Sequence, residues 1–304
     1  MPRINSSTAL RSMLFTPGSS EKMLSKSLTS PSDASLYDIE DSVAEDMKSK
    51  ARELVGEIIK ENENSNEAPP TVLVRVNDVN SEHFEKDIDA IATSGLDGIF
   101  LPKPETEADV RKADAIITKF ETERKLEINS IAIILQMESA LGIYNCFNLC
   151  KSAERVVGVN LGSAEDADLC RDLGAQWTPD GNTLHYSRSK VLLEARAAKM
   201  PHPTDGVYMD LQNDDGCRED AEIARLLGYT GKAAIHPRQV PIFNEVYSPK
   251  TEEVSYYKEM LDAYYEGEKA GLGAVNFQGK MVDIAMVRHA ENIINRSKAI
   301  QSRT

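Results

Sequence analysis

The sequence predicts an α/β protein, a (β/α)8 TIM barrel followed by a C-terminal extension of two helices. Eight short apolar runs alternate with longer amphipathic stretches almost from end to end. This is the pattern of parallel strands that are buried on both faces and joined by helices. The eight units occupy roughly 240 residues, the usual size of such a barrel. An open doubly wound sheet is the alternative, but no Gly-rich dinucleotide loop follows any predicted strand.

The predicted strands and helices follow from the periodicity of the apolar residues. The strands are Ser12–Pro17, Ser35–Ile39, Thr71–Val76, Gly98–Leu101, Ile131–Met137, Arg155–Leu161, Gly206–Leu211 and Lys232–His236. The helices between them are Asp46–Lys60, Ala108–Phe120, Ser139–Ser152, Ser187–Lys199 and Cys217–Leu227. The low-complexity segment Glu61–Pro70 (ENENSNEAPP) predicts a surface loop.

The chain changes character after the eighth unit, which Pro237 and Pro241 are expected to end. Two helices are predicted at Glu252–Lys269 and Val282–Ser297, with a Gly-containing loop at Gly271–Gly279. We therefore expect a catalytic barrel domain at residues 8–243 and a helical extension at residues 244–304. The extension would serve as an oligomerisation element or as a lid over an active site.

Composition narrows the class of protein. The formal net charge is −14, from 49 acidic and 35 basic residues, which disfavours nucleic acid or an anionic membrane as a partner. A local Arg and Lys cluster would still bind an anionic small molecule. The four cysteines form no Cys-x-x-Cys pair and predict free buried thiols, as in a cytoplasmic protein. No signal peptide and no apolar run of roughly 18–20 residues is visible.

Polar residues close every predicted strand, at the end where barrel enzymes carry their chemistry. In strand order they are Lys22 and Lys26 after Pro17, then Asp38-Ile39-Glu40-Asp41, Arg75, Lys103, Glu138, Glu165-Asp166, Asp210 and His236. Mg²⁺ prefers oxygen ligands and often takes only one or two carboxylates with substrate oxygens and water. Glu138 and Asp166 would supply such a pair, with Glu40 and Asp41 orienting the metal-bound waters. The alternative for each acid is a solvated helix cap.

The basic residues of this rim admit two interpretations each. Arg75 would hold a carboxylate bidentately or stabilise an enolate, or else form a structural ion pair with a nearby acid. Lys103 lies between two prolines and is a less favoured Schiff-base amine, because carboxylates with an Arg fit metal-assisted enolate chemistry better. His236 would be an acid–base group or a hydrogen-bonded core residue.

The chain resembles the citrate lyase β-subunit family, which includes citramalyl-CoA and malyl-CoA lyases. The resemblance covers nearly the whole chain in ordered motifs. These are RSMLFTPGSSEKM, YDIEDSVAEDMKSKAR, VRVND, LPKPE, QMESALGI, LGSAED, GYTGKAAIHPRQV and NFQGKMVD. The loop before Asp166 departs from the family pattern, because it reads GSAED where GAED is common. The segment after Asp283 reads Ile-Ala-Met instead of X-Pro.

The resemblance implies a Mg²⁺-dependent retro-aldol cleavage of a 3-hydroxyacyl thioester to an acetyl thioester and a 2-oxo acid. By this similarity Glu138 and Asp166 are metal ligands and Arg75 contacts the substrate. Asp283 is the catalytic acid–base group, often completing the site of a neighbouring subunit in a homo-oligomer, expected here to be a trimer. The residues implied near CoA or the substrate are Phe15, Lys22, Lys26, Ile235 and His236.

Three functions remain open at this point. The first is a stand-alone lyase for citramalyl-, malyl- or citryl-CoA, producing pyruvate, glyoxylate or oxaloacetate. The second is the β subunit of a multi-subunit citrate lyase that acts on citryl bound to an acyl carrier protein, and the third is a malyl-CoA thioesterase. A catalytically silent scaffold is disfavoured, because the set Arg75, Glu138, Asp166 and Asp283 is intact.

Overall fold

The computed structural model describes residues 2–63 and 70–301. The chain forms two compact units, which are described separately. The first unit spans Met1–Ser6 and Leu10–Tyr247, and the second spans Ser7–Ala9 and Ser248–Thr304. No helix among the described residues is long and apolar enough to cross a bilayer.

The first unit is a closed barrel of eight parallel strands, so the predicted fold class is confirmed. The strands are β1 (Ser12–Pro17), β2 (Ala34–Asp38), β3 (Thr71–Arg75), β4 (Gly98–Pro102), β5 (Ala132–Met137), β6 (Val156–Leu161), β7 (His202–Asp205) and β8 (Gly231–Ala234). Consecutive strands pair in order, and β1 closes the ring against β8 with Met13 opposite Ala233.

In the described part of the first unit, ten α-helices follow or connect these strands. They are α1 (Glu21–Ser27), α2 (Lys48–Glu63), α3 (Phe84–Ile91), α4 (Glu107–Glu123), α5 (Ala140–Tyr144), α6 (Cys146–Lys151), α7 (Asp168–Leu173), α8 (His185–Ala197), α9 (Asp214–Leu227) and α10 (Gln239–Val246). The predicted helix Ser139–Ser152 is divided at Asn145 into α5 and α6. Pro241 does not end the last unit; it lies in the first turn of α10, where a missing backbone N–H removes no helical hydrogen bond.

The barrel interior is packed with apolar side chains and is not a pore. Met13, Leu36, Leu73, Phe100 and Ile134 belong to one fully buried cluster inside the strands. Because successive strand residues point to opposite faces, their neighbours pack outward against the helices. A filled interior leaves the ends of the strands as the place for a binding site.

The prediction for the seventh strand was wrong. The strand is His202–Asp205, and the apolar run Gly206–Leu211 follows it as loop. The observed strand is buried although it is polar, because its side chains have partners. The Thr204 hydroxyl donates to the Val159 carbonyl at 3.1 Å, for example. An apolar pattern could not identify a strand whose burial depends on hydrogen bonds between distant residues.

This shift changes the polar residue that closes the strand. Asp205, and not Asp210, ends β7, and Asp210 is exposed in the following loop. Likewise β8 ends at Ala234, two residues before His236. The predicted loop Glu61–Pro70 also differs, because Glu61–Glu63 continues α2; residues 64–69 lie outside the described part of the chain.

A buried network of four charges joins the barrel wall to the outer helices. Lys232 on β8 lies 2.5 Å from Asp205 and 2.7 Å from Asp220, measured Nζ to Oδ2. Arg188 on α8 contacts the same two carboxylates at 3.1 and 2.7 Å. All four side chains are at most 1% exposed. Although burial would raise the pKa of Asp205, the charges of Arg188 and Lys232 hold it below its ordinary value.

We expect Lys232→Met to lower the free energy of unfolding by about 3–5 kcal/mol, because two buried carboxylates would then share one cation. The matched control is Lys50→Met, which removes an exposed pair with Glu53 and should leave the free energy of unfolding almost unchanged. Urea unfolding of both variants measures the difference. Equal effects would contradict the structural importance of the network.

The second unit contains two helices and a hairpin. They are α11 (Thr251–Lys269), β9 (Val275–Phe277), β10 (Lys280–Val282) and α12 (Ile284–Gln301). The predicted loop Gly271–Gly279 therefore contains a strand. The hairpin turn has positive φ at Gln278 (48°) and Gly279 (78°), as a two-residue hairpin turn requires. Apolar residues from both helices form a core of their own, including Met260, Tyr264, Val287 and Ala290.

The four cysteines confirm the prediction of free thiols. Cys146, Cys150, Cys170 and Cys217 are all buried, and none is in a disulfide. They pack as small apolar side chains.

Candidate active site

A cavity of about 280 Å³ opens at the carboxyl ends of the strands. Seven of the eight barrel strands, or the loops directly after them, contribute to its wall. The lining residues are Phe15, Pro17, Asp38, Asp41, Ser42, Arg75, Gln136, Glu138, Asn160, Gly162, Ser163, Ala164, Ala167, Asp168, Gly206, Val207 and Ile235. The position agrees with the end of a barrel that carries chemistry in enzymes of this fold.

Arg75 is held in the cavity wall by an ion pair with Asp38. The two residues are register partners on β3 and β2, which places their side chains together. The Arg75 Nε and Nη2 atoms donate to the two oxygens of Asp38 at 2.8 and 2.6 Å. The third nitrogen, Nη1, lies 3.1 Å from Glu40 Oε2. The guanidinium also lies 5.0 Å from the centre of the Phe15 ring.

This pair sets the charge of both groups. Burial alone would lower the pKa of Arg75 and raise that of Asp38. Their mutual hydrogen bonds and charges outweigh burial, so the pKa of Arg75 is raised and that of Asp38 is lowered. Arg75 is thus a permanent cation of fixed orientation. The structural ion pair left open by the sequence is present, and Arg75 lines the cavity as well.

Lys103 bridges the acids of two different rim loops. Its Nζ lies 3.0 Å from Glu40 Oε1 after β2 and 3.0 Å from Asp168 Oδ2 at the start of α7. Asp41, whose side chain is 59% exposed, is 3.6 Å away. These carboxylates raise the pKa of Lys103 despite its partial burial, and burial raises the pKa of Glu40. A lysine so firmly protonated is unsuited to forming a Schiff base, which requires a neutral amine.

The backbone of Lys103 supports this bridging role. Its φ is +51°, in the left-handed region that a non-glycine residue adopts at a steric penalty. The flanking Pro102 and Pro104 restrict the chain on both sides. The side chain is therefore aimed at the two acids by a constrained backbone.

We expect Lys103→Met to reduce the cleavage that the family resemblance implies about 10- to 100-fold, because it releases Asp168 and leaves Glu40 with less positive charge. The free energy of unfolding should change by less than about 1 kcal/mol, since the lysine is 30% exposed. Steady-state kinetics and urea unfolding measure the two effects. Lys112→Met is the control, because this exposed lysine of α4 donates a hydrogen bond to Asn80 Oδ1 at the surface. Unchanged kcat/KM in Lys103→Met would contradict the role.

Glu138 is a buried carboxylate of the cavity wall with a single hydrogen bond. It is 6% exposed, and only its Oε2 has a hydrogen bond, from Gln136 Nε2 at 2.5 Å. Glu138 Oε1 and Gln136 Oε1 are buried and have no hydrogen-bond partner. Burial first, and then the charge of Glu40, raises the pKa of Glu138 to about 8 despite the opposing charge of Arg75.

The chain passes directly over Glu138 at Gly162. A Cβ atom added there would lie 2.6 Å from Glu138 Cβ and 3.3 Å from its Oε2. Only a residue without a side chain permits this approach. Gly162 thereby brings the loop of residues 162–168, with its carboxylates, onto the Glu138 side of the cavity.

The donor set fits a hard divalent cation. Two buried oxygen atoms, Glu138 Oε1 and Gln136 Oε1, lack partners beside a cavity, and carboxylate and amide oxygens are ligands of Mg²⁺. Within the described residues no cluster of three or more His, Cys, Asp and Glu residues is arranged around a common point. Mg²⁺ does not require one, because water and substrate oxygens complete its shell.

The second predicted metal ligand, Asp166, lies further from the cavity wall than Glu138, which is part of that wall. Asp166 is exposed in the loop after β6, has a φ of +53°, and is not among the residues that line the cavity. Asp168, two residues later, does line it and pairs with Lys103 and Arg171. Asp and Asn tolerate the left-handed conformation better than most residues.

The other predicted site residues fall into three groups. Phe15 and Ile235 line the cavity. His236 is half-buried outside its lining, and its Nδ1 accepts a hydrogen bond from the Arg238 N–H at 3.2 Å. Lys22 and Lys26 are exposed on α1.

Asp283 belongs to the second unit. It is exposed directly before α12, and its Oδ1 accepts hydrogen bonds from the backbone N–H groups of Ala285 at 2.9 Å and Met286 at 3.4 Å. These bonds make Asp283 a helix cap. Helix capping is the alternative to a catalytic role for any acid at the start of a helix.

Comparison with known proteins identifies the family. The model of the HpcH/HpaI aldolase/citrate lyase family matches residues 11–237. The citrate lyase subunit beta of Haemophilus influenzae is 33% identical over 294 residues, covering 95% of this chain and 97% of the relative. The chain belongs to the HpcH/HpaI aldolase/citrate lyase family.

Two further known proteins are similar to this chain over most of its length. The mitochondrial citramalyl-CoA lyase of Rattus norvegicus is 29% identical over 301 residues, covering 96% of this chain and 87% of the relative. Protein CitE of Mycobacterium tuberculosis, crystallised with magnesium, acetoacetate and coenzyme A, has the same fold. Its TM-score is 0.73 at 24% identity, with 96% of this chain and 99% of that chain covered. The predicted resemblance and the prediction of a carbon–carbon lyase are confirmed.

Six polar lining residues of this lyase received no role from the sequence. They are Asp38, Ser42, Gln136, Asn160, Ser163 and Asp168. Period-two alternation along a strand could have found two of them, because Asp38 and Gln136 lie two residues before Glu40 and Glu138. Nothing in the sequence separates Asp168 from Asp166, since both follow the same strand.

Proposed function

We propose that this protein is a Mg²⁺-dependent lyase that cleaves a 3-hydroxyacyl-CoA thioester by a retro-aldol reaction. The candidate substrates are citramalyl-, malyl- and citryl-CoA. The observation that carries the proposal is the buried, unpartnered Glu138 Oε1 in a cavity that also contains the fixed cation Arg75. A metal ligand and an enolate-stabilising cation in one cavity would supply two of the parts this reaction requires, beside an acid–base group.

Glu138 and Asp166 would hold the metal, with Glu40 and Asp41 orienting its bound waters. Mg²⁺ bound there would polarise the oxygens of the departing 2-oxo acid. Asp166 would need to turn towards the cavity from its exposed position in the loop of residues 162–168. Gly162 already brings that loop within contact distance of Glu138.

The electrons and protons of the step balance within the substrate and the protein. A base removes the proton of the 3-hydroxyl group, the carbon–carbon bond breaks, and the hydroxyl carbon becomes the carbonyl of a 2-oxo acid. The electron pair of the broken bond forms the enolate of the acetyl thioester, which takes up a proton. Arg75 would offset the enolate charge, an effect of about 3–4 kcal/mol per donor in other enzymes. Asp38 keeps the guanidinium oriented.

The residues outside the cavity complete the proposal. Asp283 would transfer the proton, from the second unit of a neighbouring protomer in a homo-oligomer that we propose to be a trimer. Lys22, Lys26 and Phe15 would lie near the CoA nucleotide or pantetheine, and His236 beside the acyl group. Cytoplasmic location stays a prediction from the reduced cysteines.

The direct test is an assay of the purified protein alone with each of the three CoA esters, with Mg²⁺ and with a chelator. We expect acetyl-CoA and a 2-oxo acid to form only with the metal. Free CoA released without acetyl-CoA would instead indicate a thioesterase. Metal-independent cleavage would contradict the proposal.

A second candidate is the β subunit of a multi-subunit citrate lyase, favoured by the 33% identity to such subunits over nearly the full length. Its substrate would be citryl bound to an acyl carrier protein. Cleavage of that thioester, with no turnover of any CoA ester, would favour this candidate over the stand-alone lyase.

A further inference from the structure

The apolar part of the cavity wall bears on which 2-oxo acid leaves the enzyme. Phe15 of β1 and Val207 after β7 both line the cavity and pack against the apolar interior of the barrel. The Phe15 ring meets Phe100 edge-on at 6.4 Å between centroids. Ile235 after β8 adds a third apolar side chain. The cavity therefore has an apolar floor, in which Val207 and Ile235 would face the 2-oxo acid and Phe15 the pantetheine, while Glu138 and Arg75 are contributed by other strands.

Two features keep this floor small and fixed. Val207 follows Gly206, where an added Cβ would lie 2.4 Å from the Leu161 carbonyl oxygen and 2.6 Å from Ser163 N. The backbone at the base of the loop is thus packed tightly against β6. The cavity measures about 280 Å³, which a metal and the reacting atoms of the substrate would share with any substituent.

The charges of the wall oppose a second carboxylate on the 2-oxo acid. Among the described lining residues, four are carboxylates and one, Arg75, is a cation. Arg75 is already paired with Asp38 through two hydrogen bonds. Lys103, the nearby cation of the rim, bridges Glu40 and Asp168. A bound metal would neutralise the first carboxylate of the 2-oxo acid. A second carboxylate would lie against acidic or apolar side chains.

We propose that the 2-oxo acid product is a monocarboxylate with a small apolar substituent, of the size of a methyl group. The matching substrate is a 3-hydroxyacyl-CoA that carries a methyl group at C3, as in citramalyl-CoA. It is preferred over the ester with hydrogen there, malyl-CoA, and over the ester with a carboxymethyl group, citryl-CoA. This inference rests on the proposed function.

The first experiment compares kcat/KM of the full-length wild-type protein for the three esters at saturating Mg²⁺. We expect citramalyl-CoA to exceed citryl-CoA at least tenfold, because an unpaired charge would be desolvated. It should exceed malyl-CoA about fivefold, the size of a methyl effect. Equal or better cleavage of citryl-CoA would overturn the inference and leave the proposed function intact.

A binding measurement tests the same preference without turnover. Thermal-shift titrations with pyruvate, glyoxylate and oxaloacetate in Mg²⁺ should show the largest stabilisation by pyruvate at equal concentration. If no ester is cleaved, the proposed function fails, and these titrations still decide the chemistry of the cavity. Preferential binding of oxaloacetate would overturn the inference.

Two variants test whether Val207 determines the preference. Val207→Lys should shift the ratio of kcat/KM for citryl-CoA to citramalyl-CoA at least tenfold towards citryl-CoA, by supplying a cation. Val207→Ala, the milder change, should lower the citramalyl-to-malyl ratio about threefold by removing apolar contacts. Leu226→Lys is the control, since this α9 residue is 84% exposed. Unchanged ratios in both Val207 variants would refute its assignment.

Discussion

Glu138→Gln is expected to fold normally and to lose at least about a thousandfold in Mg²⁺-dependent cleavage. Gln has the same shape and keeps a carbonyl oxygen, but it carries no charge to hold the metal. A thousandfold loss corresponds to about 4 kcal/mol of transition-state stabilisation. Mg²⁺ should raise the melting temperature of the wild type and not that of the variant, because a ligand stabilises only a state that binds it.

The pH dependence of the metal-free protein gives an independent signature of the same residue. The pKa of Glu138 is raised from 4.5 to about 8 in the folded state. The folded state therefore retains a proton that the unfolded state has lost between these values. The contribution of Glu138 to the free energy of unfolding then falls as pH rises from about 4.5 to about 8. Glu138→Gln removes this slope, so at pH 8 without metal the variant should be more stable than the wild type.

A neighbouring acid provides the control for both measurements. Glu165→Gln removes one negative charge from the exposed loop beside Asp166 and should change neither the metal response nor the pH slope. Retention of cleavage and of Mg²⁺ stabilisation in Glu138→Gln would show that Glu138 is not a metal ligand. Titration of metal-free wild type and variants by thermal melting between pH 5 and pH 8 completes the comparison.

Asp283→Asn is the second change with a large expected effect, a loss of about 10²- to 10⁴-fold in kcat. This is the usual contribution of a positioned acid–base group. The amide retains oxygen to accept the hydrogen bonds that Asp283 Oδ1 receives at the start of α12. Folding should therefore be unaffected, and a merely structural cap would leave kcat almost unchanged. Steady-state kinetics with circular dichroism as a folding control separates the two.

Mixed oligomers test whether Asp283 acts in a neighbouring protomer. Glu138→Gln and Asp283→Asn protomers, each expected to be nearly inactive alone, are unfolded, mixed in equal amounts and refolded. In a cyclic oligomer with sites shared between neighbours, about a quarter of the sites combine both intact residues. We expect about a quarter of wild-type activity. If each protomer uses its own Asp283, the mixture stays inactive.

Much of the fold was predictable because parallel strands buried on both faces leave continuous apolar runs in the sequence. Seven of the eight strands were found in this way. The seventh was missed because β7 is polar and is buried through hydrogen bonds and charges, including Asp205 with Arg188 and Lys232. Those partners lie 17 and 27 residues from Asp205 along the chain. No local sequence pattern indicates a polar strand whose side chains are paired with such distant residues.

The candidate site was likewise predictable only in part from the sequence. The sequence determined that Arg75 and Glu138 meet at one rim, because each closes a strand of a barrel whose chemistry lies at that end. Family motifs added Asp283, which strand-end reasoning could not reach. Only the tertiary structure decided that Asp38 fixes Arg75, that Lys103 joins Glu40 to Asp168, and that Glu138 keeps an unpartnered oxygen. Residue types and their order along the chain are local information, whereas burial, pairing and pKa depend on which distant side chains the closed barrel brings together.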